Sequence, residues 1–212
     1  MKKNKEKKSL FFNKFNKFVN NRFFSNLLFI FLGILIGISL SEGYYFFKNL
    51  LAQNESTYQI SNNISIVFSP NSKSIILNFL DSAEESIDIE MYSITSDDVV
   101  EKLIELKKRK VKVRIILDVN IDAYERKLVE KLKKFNIHIK FLDLGKYVMH
   151  SKFIVIDKKK VLVGSINLSE AALKGNREAA IIIVDEKVGE KFNQIFEKDF
   201  EMSNYDYKIE EN

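Results

Sequence analysis

From residue 63 to about residue 200 the chain alternates between short runs of β-forming residues and stretches of helical spacing. No other feature restricts the fold as much. Runs with period-two alternation or β-branched content predict strands over 64–68, 86–92, 111–117, 137–142, 149–156, 161–166 and 179–184. Apolar residues at three- and four-residue spacing predict helices over 72–83, 97–108, 123–135 and 187–199. In the first of these Ile75, Ile76, Phe79 and Leu80 share a face; in the last, Val188, Phe192, Ile195 and Phe196 do. Strands and helices in alternation predict an α/β fold, a mixed β-sheet flanked by helices. No internal repeat interrupts the pattern.

Composition narrows the chemistry. The chain has no cysteine, which removes disulfides, thiol nucleophiles and cysteine-based zinc sites. Its two histidines, His138 and His150, are too few for a multi-histidine metal cage. Hydrophobic residues make up 46%, including 18 Phe and 8 Tyr, enough for a packed core. The net charge of +5 suggests an anionic partner, but it is unevenly placed. Residues 1–26 hold eight basic side chains and one acid, leaving 26 basic and 28 acidic residues after them, a net of −2. The positive charge belongs to the N-terminus and gives no licence for a nucleic-acid reading of the rest.

The N-terminus reads as a topology signal. Residues 27–40 carry no charge, and 23–41 are 19 residues, enough to cross a hydrocarbon core of about 30 Å. Lysines precede the segment, and Tyr44, Tyr45, Phe46 and Phe47 follow it. The expected organisation is a basic cytoplasmic segment over 1–22, a transmembrane signal anchor over 23–47, a polar linker over 48–60 and a folded domain over 61–208 on the extracytoplasmic side of a bacterial cell membrane. A cleaved signal peptide is the alternative, since Ser39 and Ser41 offer small residues at a cleavage site, and the domain would then be secreted. A buried core helix explains the flanking lysines poorly.

Residues 149–167, MHSKFIVIDKKKVLVGSIN, have alternating ends around the polar stretch 157–160, the pattern of a β-hairpin. A four-residue turn pairs Ile156 with Val161, Ile154 with Val163, Lys152 with Ser165, and His150 with Asn167. Paired residues share a face, so His150, Lys152, Ser165 and Asn167 are expected in one patch. A cation, an imidazole, a hydroxyl and an amide supply mostly donors, suited to a phosphate or another oxyanion. For the His-x-Lys alone, a snorkelling lysine and a satisfied core histidine are the simpler account.

The full pattern His150-x-Lys152-x4-Asp157-x6-Gly164-Ser165-x-Asn167 resembles the signature of the phospholipase D superfamily. His138-Ile139-Lys140 also reads His-x-Lys, but Gly145 stands where the aspartate belongs, and His138 is read as structural. The resemblance covers residues 60–205 and is closest to small bacterial members with a single motif. It implies a phospholipase D-like catalytic domain and a metal-independent phosphodiesterase that needs no cofactor. His150 would be the nucleophile, forming a phosphohistidine. Lys152 and Asn167 would hold the phosphate oxygens, and Ser165 would support phosphate or histidine. Glu178 would fix the imidazole tautomer, and Asp157 would brace the loop. One motif supplies one histidine where the chemistry uses two, so the resemblance implies a homodimer with its active site on the two-fold axis. Expected substrates are phospholipid headgroups or nucleic acid. An endonuclease acting on DNA or RNA is the alternative, with a catalytically silent membrane-anchored scaffold behind it. Candidate basic patches for nucleic acid are 107–110 and 158–160, which solvated helix ends and turns also explain.

Overall fold

The computed structural model describes residues 57–205, together with helical positions 30, 31, 33, 34, 36, 37 and 40–43. Apart from those positions, the expected basic segment 1–22 and span 23–47 lie outside the described residues. Among the described residues no helix is long and apolar enough to cross a membrane.

Residues 57–205 belong to one compact unit. Its strands are β1 (Thr57–Ser61), β2 (Ile64–Phe68), β3 (Ser86–Met91), β4 (Lys112–Asp118), β5 (His138–Leu142), β6 (Lys152–Ile156), β7 (Lys160–Gly164) and β8 (Ala179–Val184). Its helices are α1 (Lys73–Asp81), α2 (Asp97–Lys108), α3 (Ala123–Lys134), α4 (Glu170–Lys174) and α5 (Glu186–Met202). The strands make one mixed sheet in the order β1-β2-β8-β7-β6-β3-β4-β5. β3, β4 and β5 run parallel, joined through α2 and α3. The remaining neighbours are antiparallel. The expected mixed sheet flanked by helices is therefore what forms.

Side-chain alternation divides the sheet into two apolar faces. Ile87, Ile89, Ile115 and Ile154 pack with Ile76 and Leu80 of α1, Leu103 of α2, Leu128 of α3 and Leu173 of α4. On the other face Ile116, Phe153, Val155 and Val161 pack against Phe196 of α5. Each such side chain, buried, stabilises the fold by roughly 1.5–3 kcal/mol. A polar cluster interrupts the α5 face. The Arg114 guanidinium donates to both Asp88 carboxylate oxygens (2.7 and 2.8 Å) and both of Glu197 (2.7 and 2.9 Å). Asn193 also donates to Asp88 (2.8 Å). Removing one partner would leave a buried charge uncompensated.

Three expectations change. Residues 57–60, assigned to the linker, belong to β1, which pairs with β2. Helix α4 was not expected. The hairpin register also differs by one residue. Ile156 pairs with Lys160, Val155 with Val161 and Phe153 with Val163. The turn has three residues rather than four, because Asp157 (φ 51°) and Lys158 (φ 55°) both take left-handed backbone and Lys159 N–H returns to Ile156 O (2.9 Å). The turn is pinned from two sides. The Asp157 carboxylate accepts the N–H groups of Glu84, Glu85 and Ser86 (2.8–3.0 Å). Above it α5 passes at Gly189, where a Cβ would lie 2.2 Å from the Lys158 carbonyl oxygen.

Candidate active site

The shifted register changes how the expected patch is assembled. Continued by one pair, it sets Lys152 opposite Gly164, not Ser165. The pairing of His150 with Asn167 fails for the same reason, and β6 begins at Lys152 rather than Met149. The hairpin alone therefore does not place the four residues together. Each is placed by a neighbouring segment instead.

His150 and Lys152 are held from β3 and β4. The Met149 N–H donates to Asp118 (2.7 Å) and the Tyr92 N–H to the Ser151 carbonyl (3.1 Å). The Tyr92 ring then meets the His150 imidazole edge-on, with centroids 4.8 Å apart. The Lys152 ammonium lies 5.2 Å from the centre of the same ring. Lys152 is only 7% exposed, and its ammonium donates to the His150 carbonyl (2.9 Å). An ammonium has three donors. Burial pulls the Lys152 pKa below its ordinary value, against the opposing pull of the Glu178 charge. A buried cation so weakly compensated favours an anion beside it.

Ser165 and Glu178 are held across β7 and β8. Gly164 lies so close to β8 that a Cβ would stand 2.2 Å from the Ala179 carbonyl oxygen, so only glycine fits. Ser165 N–H donates to the Ala179 carbonyl (2.8 Å), and Ala179 N–H returns to the Ser165 hydroxyl (3.1 Å). That hydroxyl donates to Glu178 (2.5 Å), whose other oxygen accepts from Asn176 (3.3 Å). Within this chain Glu178 is thus bonded to Ser165 and Asn176, not to imidazole.

Asn167 is positioned by the loop after β3. Leu168 donates its N–H to the Ser93 carbonyl (3.2 Å) and accepts from Thr95 and Ser96 (both 3.0 Å). Glu125 of α3, 4% exposed, fixes that loop by accepting the Ile94 N–H (2.5 Å). Burial pushes the Glu125 pKa up to about 7. The Asn167 side-chain oxygen, an acceptor, is buried without a hydrogen-bond partner and so calls for a donor; only the amide N–H groups of the same side chain could meet a phosphate oxygen. Asp157 sits at the far end of β6, bound to backbone N–H groups, where it braces the strand bearing Lys152.

Sequence reasoning passed over Tyr92, Asp118 and Glu125. Tyr92 closes an apolar run and reads as core. The two carboxylates gain meaning only from long-range contacts. His138 is exposed on the edge strand β5, opposite Arg114 in the ladder.

The family model described as "Cardiolipin synthase, PLD-like domain" matches residues 76–200. The chain belongs to the phospholipase D superfamily. Within that superfamily it is similar to phospholipase D of Rickettsia prowazekii, with 34% identity over 192 residues, 82% of this chain and 91% of that one. Mitochondrial cardiolipin hydrolase of Chlamydomonas reinhardtii is 33% identical over 133 residues, 63% of this chain and 59% of that one. The crystal structure of Nuc from Salmonella typhimurium, a phospholipase D family member, superposes with a TM-score of 0.64 at 27% identity. It covers 69% of this chain and 98% of Nuc. The chain is a phospholipase D-type phosphodiesterase.

Proposed function

We propose that this phosphodiesterase hydrolyses phospholipid headgroups without a metal, through a phosphohistidine at His150. The observation that carries the reading is the buried Lys152 ammonium beside an exposed imidazole, both packed on Tyr92. His150 attacks phosphorus while Lys152 and the Asn167 amide stabilise the non-bridging oxygens, where charge develops. The P–O bond to the leaving alcohol breaks, and that oxygen takes a proton from a second imidazolium. Water then attacks phosphorus, giving its proton back to the second imidazole, and the P–N bond breaks to restore His150. The second imidazole comes from His150 of another copy of the chain, related by a two-fold axis. The pairing of Ser165 with Glu178 keeps a carboxylate beside the phosphate site for the imidazolium. Residues 23–47 anchor the domain in a bacterial cell membrane, on the extracytoplasmic side, beside its substrate. The net −2 charge after residue 26 weighs against tight binding of nucleic acid.

The test uses the full chain and its His150→Asn variant in EDTA, offered phosphatidylcholine, phosphatidylglycerol and cardiolipin vesicles, single-stranded DNA and RNA. Headgroup release by the wild type and none by the variant is expected. Cleavage of nucleic acid with no lipid turnover would replace the substrate, and equal activity of both proteins would overturn the site. Dilution through subunit dissociation should abolish activity; full specific activity in a monomer would refute the shared site.

A further inference from the structure

A five-residue segment after β3 touches both halves of the site. At its start the Tyr92 N–H donates to the Ser151 carbonyl (3.1 Å), and the Tyr92 ring lies against His150 and Lys152. Further on, the Ser93 carbonyl accepts the Leu168 N–H (3.2 Å), and the Thr95 and Ser96 N–H groups donate to the Leu168 carbonyl (both 3.0 Å). Ile94 bridges to Leu168 in parallel, and both are buried. Residues 92–96 therefore set how far the strand bearing His150 and Lys152 lies from the residue next to Asn167. Among the described residues the Asn167 side-chain oxygen has no hydrogen-bond partner, so the amide is aimed by this backbone. The middle of the segment is tied to α3. The Ile94 N–H donates to the Glu125 carboxylate (2.5 Å), and the Ser93 hydroxyl donates to it as well. Glu125 is itself fixed, its N–H given to the Asp122 carboxylate that caps α3 (2.7 Å). Burial, and after it the charges of Asp122 and Asp118, make this an unfavourable place for an acid. A leucine would fill it without that cost, so what the carboxylate adds is its acceptors.

We propose that Glu125 is a positioning residue for the phosphodiesterase reaction: by holding Ile94 it fixes residues 92–96, and so sets the Asn167 amide against the same phosphate that His150 attacks. The inference rests on the assignment of His150 and Asn167 to the phosphate made above. Glu125 acts through the backbone of Leu168 and touches no substrate.

The variants are made in the full chain. Urea midpoints and amide hydrogen exchange are measured first, then turnover of a soluble phosphodiester, bis(p-nitrophenyl) phosphate. Glu125→Leu should speed exchange at Ile94 and Leu168 by at least about tenfold while the protein stays folded. It should lower kcat about tenfold, the scale of one lost hydrogen bond, and leave KM within about twofold, because the amide acts where charge develops. Glu125→Gln keeps an acceptor oxygen and should hold kcat within about threefold of the wild type. Ser93→Ala, which removes only the hydroxyl, is the milder variant if the leucine prevents folding; it should move the same two amides and lower kcat about threefold. In an Asn167→Ala background, Glu125→Leu should cost less than about a further twofold, since its effect runs through Asn167. Unchanged exchange at both amides overturns the tether. Faster exchange with wild-type kcat, or a loss that adds in full to that of Asn167→Ala, overturns the positioning role and leaves the phosphate site standing. Full turnover by Asn167→Ala itself would instead overturn its assignment to the phosphate, and the exchange at Ile94 and Leu168 still decides whether Glu125 holds the segment.

Discussion

The sheet carries His-x-Lys twice, and the two copies meet different surroundings. In β5, His138 faces solvent at the sheet edge, and Lys140 donates to the Phe200 carbonyl (2.7 Å) while lying 4.5 Å from the Phe200 ring centre. Its cation is satisfied by the last turn of α5, which welcomes positive charge. At β6, Lys152 is buried under Tyr92 with one carbonyl acceptor, and His150 stands exposed beside it. The tripeptide is the same. What separates the two lysines is which partners the fold leaves out: Lys140 is met by the end of α5, Lys152 by a single carbonyl.

The sharpest way to break that contrast is to remove each histidine in turn. His150→Asn should lower kcat at least about 10⁴-fold, as loss of a covalent nucleophile does, while His138→Asn should stay within about twofold. Steady-state turnover of both variants checks this, and equal losses would erase the difference. Lys152→Met keeps the volume and drops the charge. It should cost roughly 10²–10³-fold in kcat, the scale of losing one donor to developing phosphate charge, whereas Lys140→Met should lose stability but not turnover.

Two further changes act behind the β6 copy. Asp157→Ala removes an acceptor from three N–H groups and should cost about 2 kcal/mol in urea unfolding, with the reaction of the folded protein little changed. Glu90 lies on β3 opposite Phe153, 2% exposed, with one carboxylate oxygen lacking a partner. Burial, with repulsion from Asp199, pushes its pKa from 4.5 up to about 7, against a hydrogen bond from Ser151. The folded state therefore holds a proton that the unfolded chain releases first, so this contribution to stability is full below pH 4.5 and lost as pH rises to about 7. Glu90→Gln should flatten that stretch of the stability–pH curve. It should stabilise by about 2 kcal/mol at pH 8 and by little at pH 4, measured as denaturant midpoints.

The contrast also marks what the sequence made legible. β2, α2 and β8 have the expected bounds because strong periodicity and clear breakers enclose them. β1 escaped because its alternation, Tyr58 and Ile60 between polar residues, spans only five residues continuous with a polar stretch, and four of the five are exposed on an edge strand. α4 is five residues long, too short for a helical period to show. The hairpin register failed at its turn, where an aspartate and a lysine, rather than glycine or asparagine, adopt left-handed backbone. The motif nominated His150, Lys152, Ser165, Asn167, Glu178 and Asp157 as candidates. How they are held was not legible, because Tyr92, Asp118 and Glu125 act across 31 to 60 residues of chain. Nor did the motif show that Ser165 and Asn176 engage Glu178.

The most direct measurement is to trap the intermediate. The full chain is mixed with phospholipid labelled in the phosphate, quenched in base where phosphohistidine survives, and digested for peptide mass spectrometry. The account predicts a phosphatidyl adduct on the peptide containing His150, none on that containing His138, and none in His150→Asn. An adduct on His138, or full turnover by His150→Asn with no adduct at all, would contradict it.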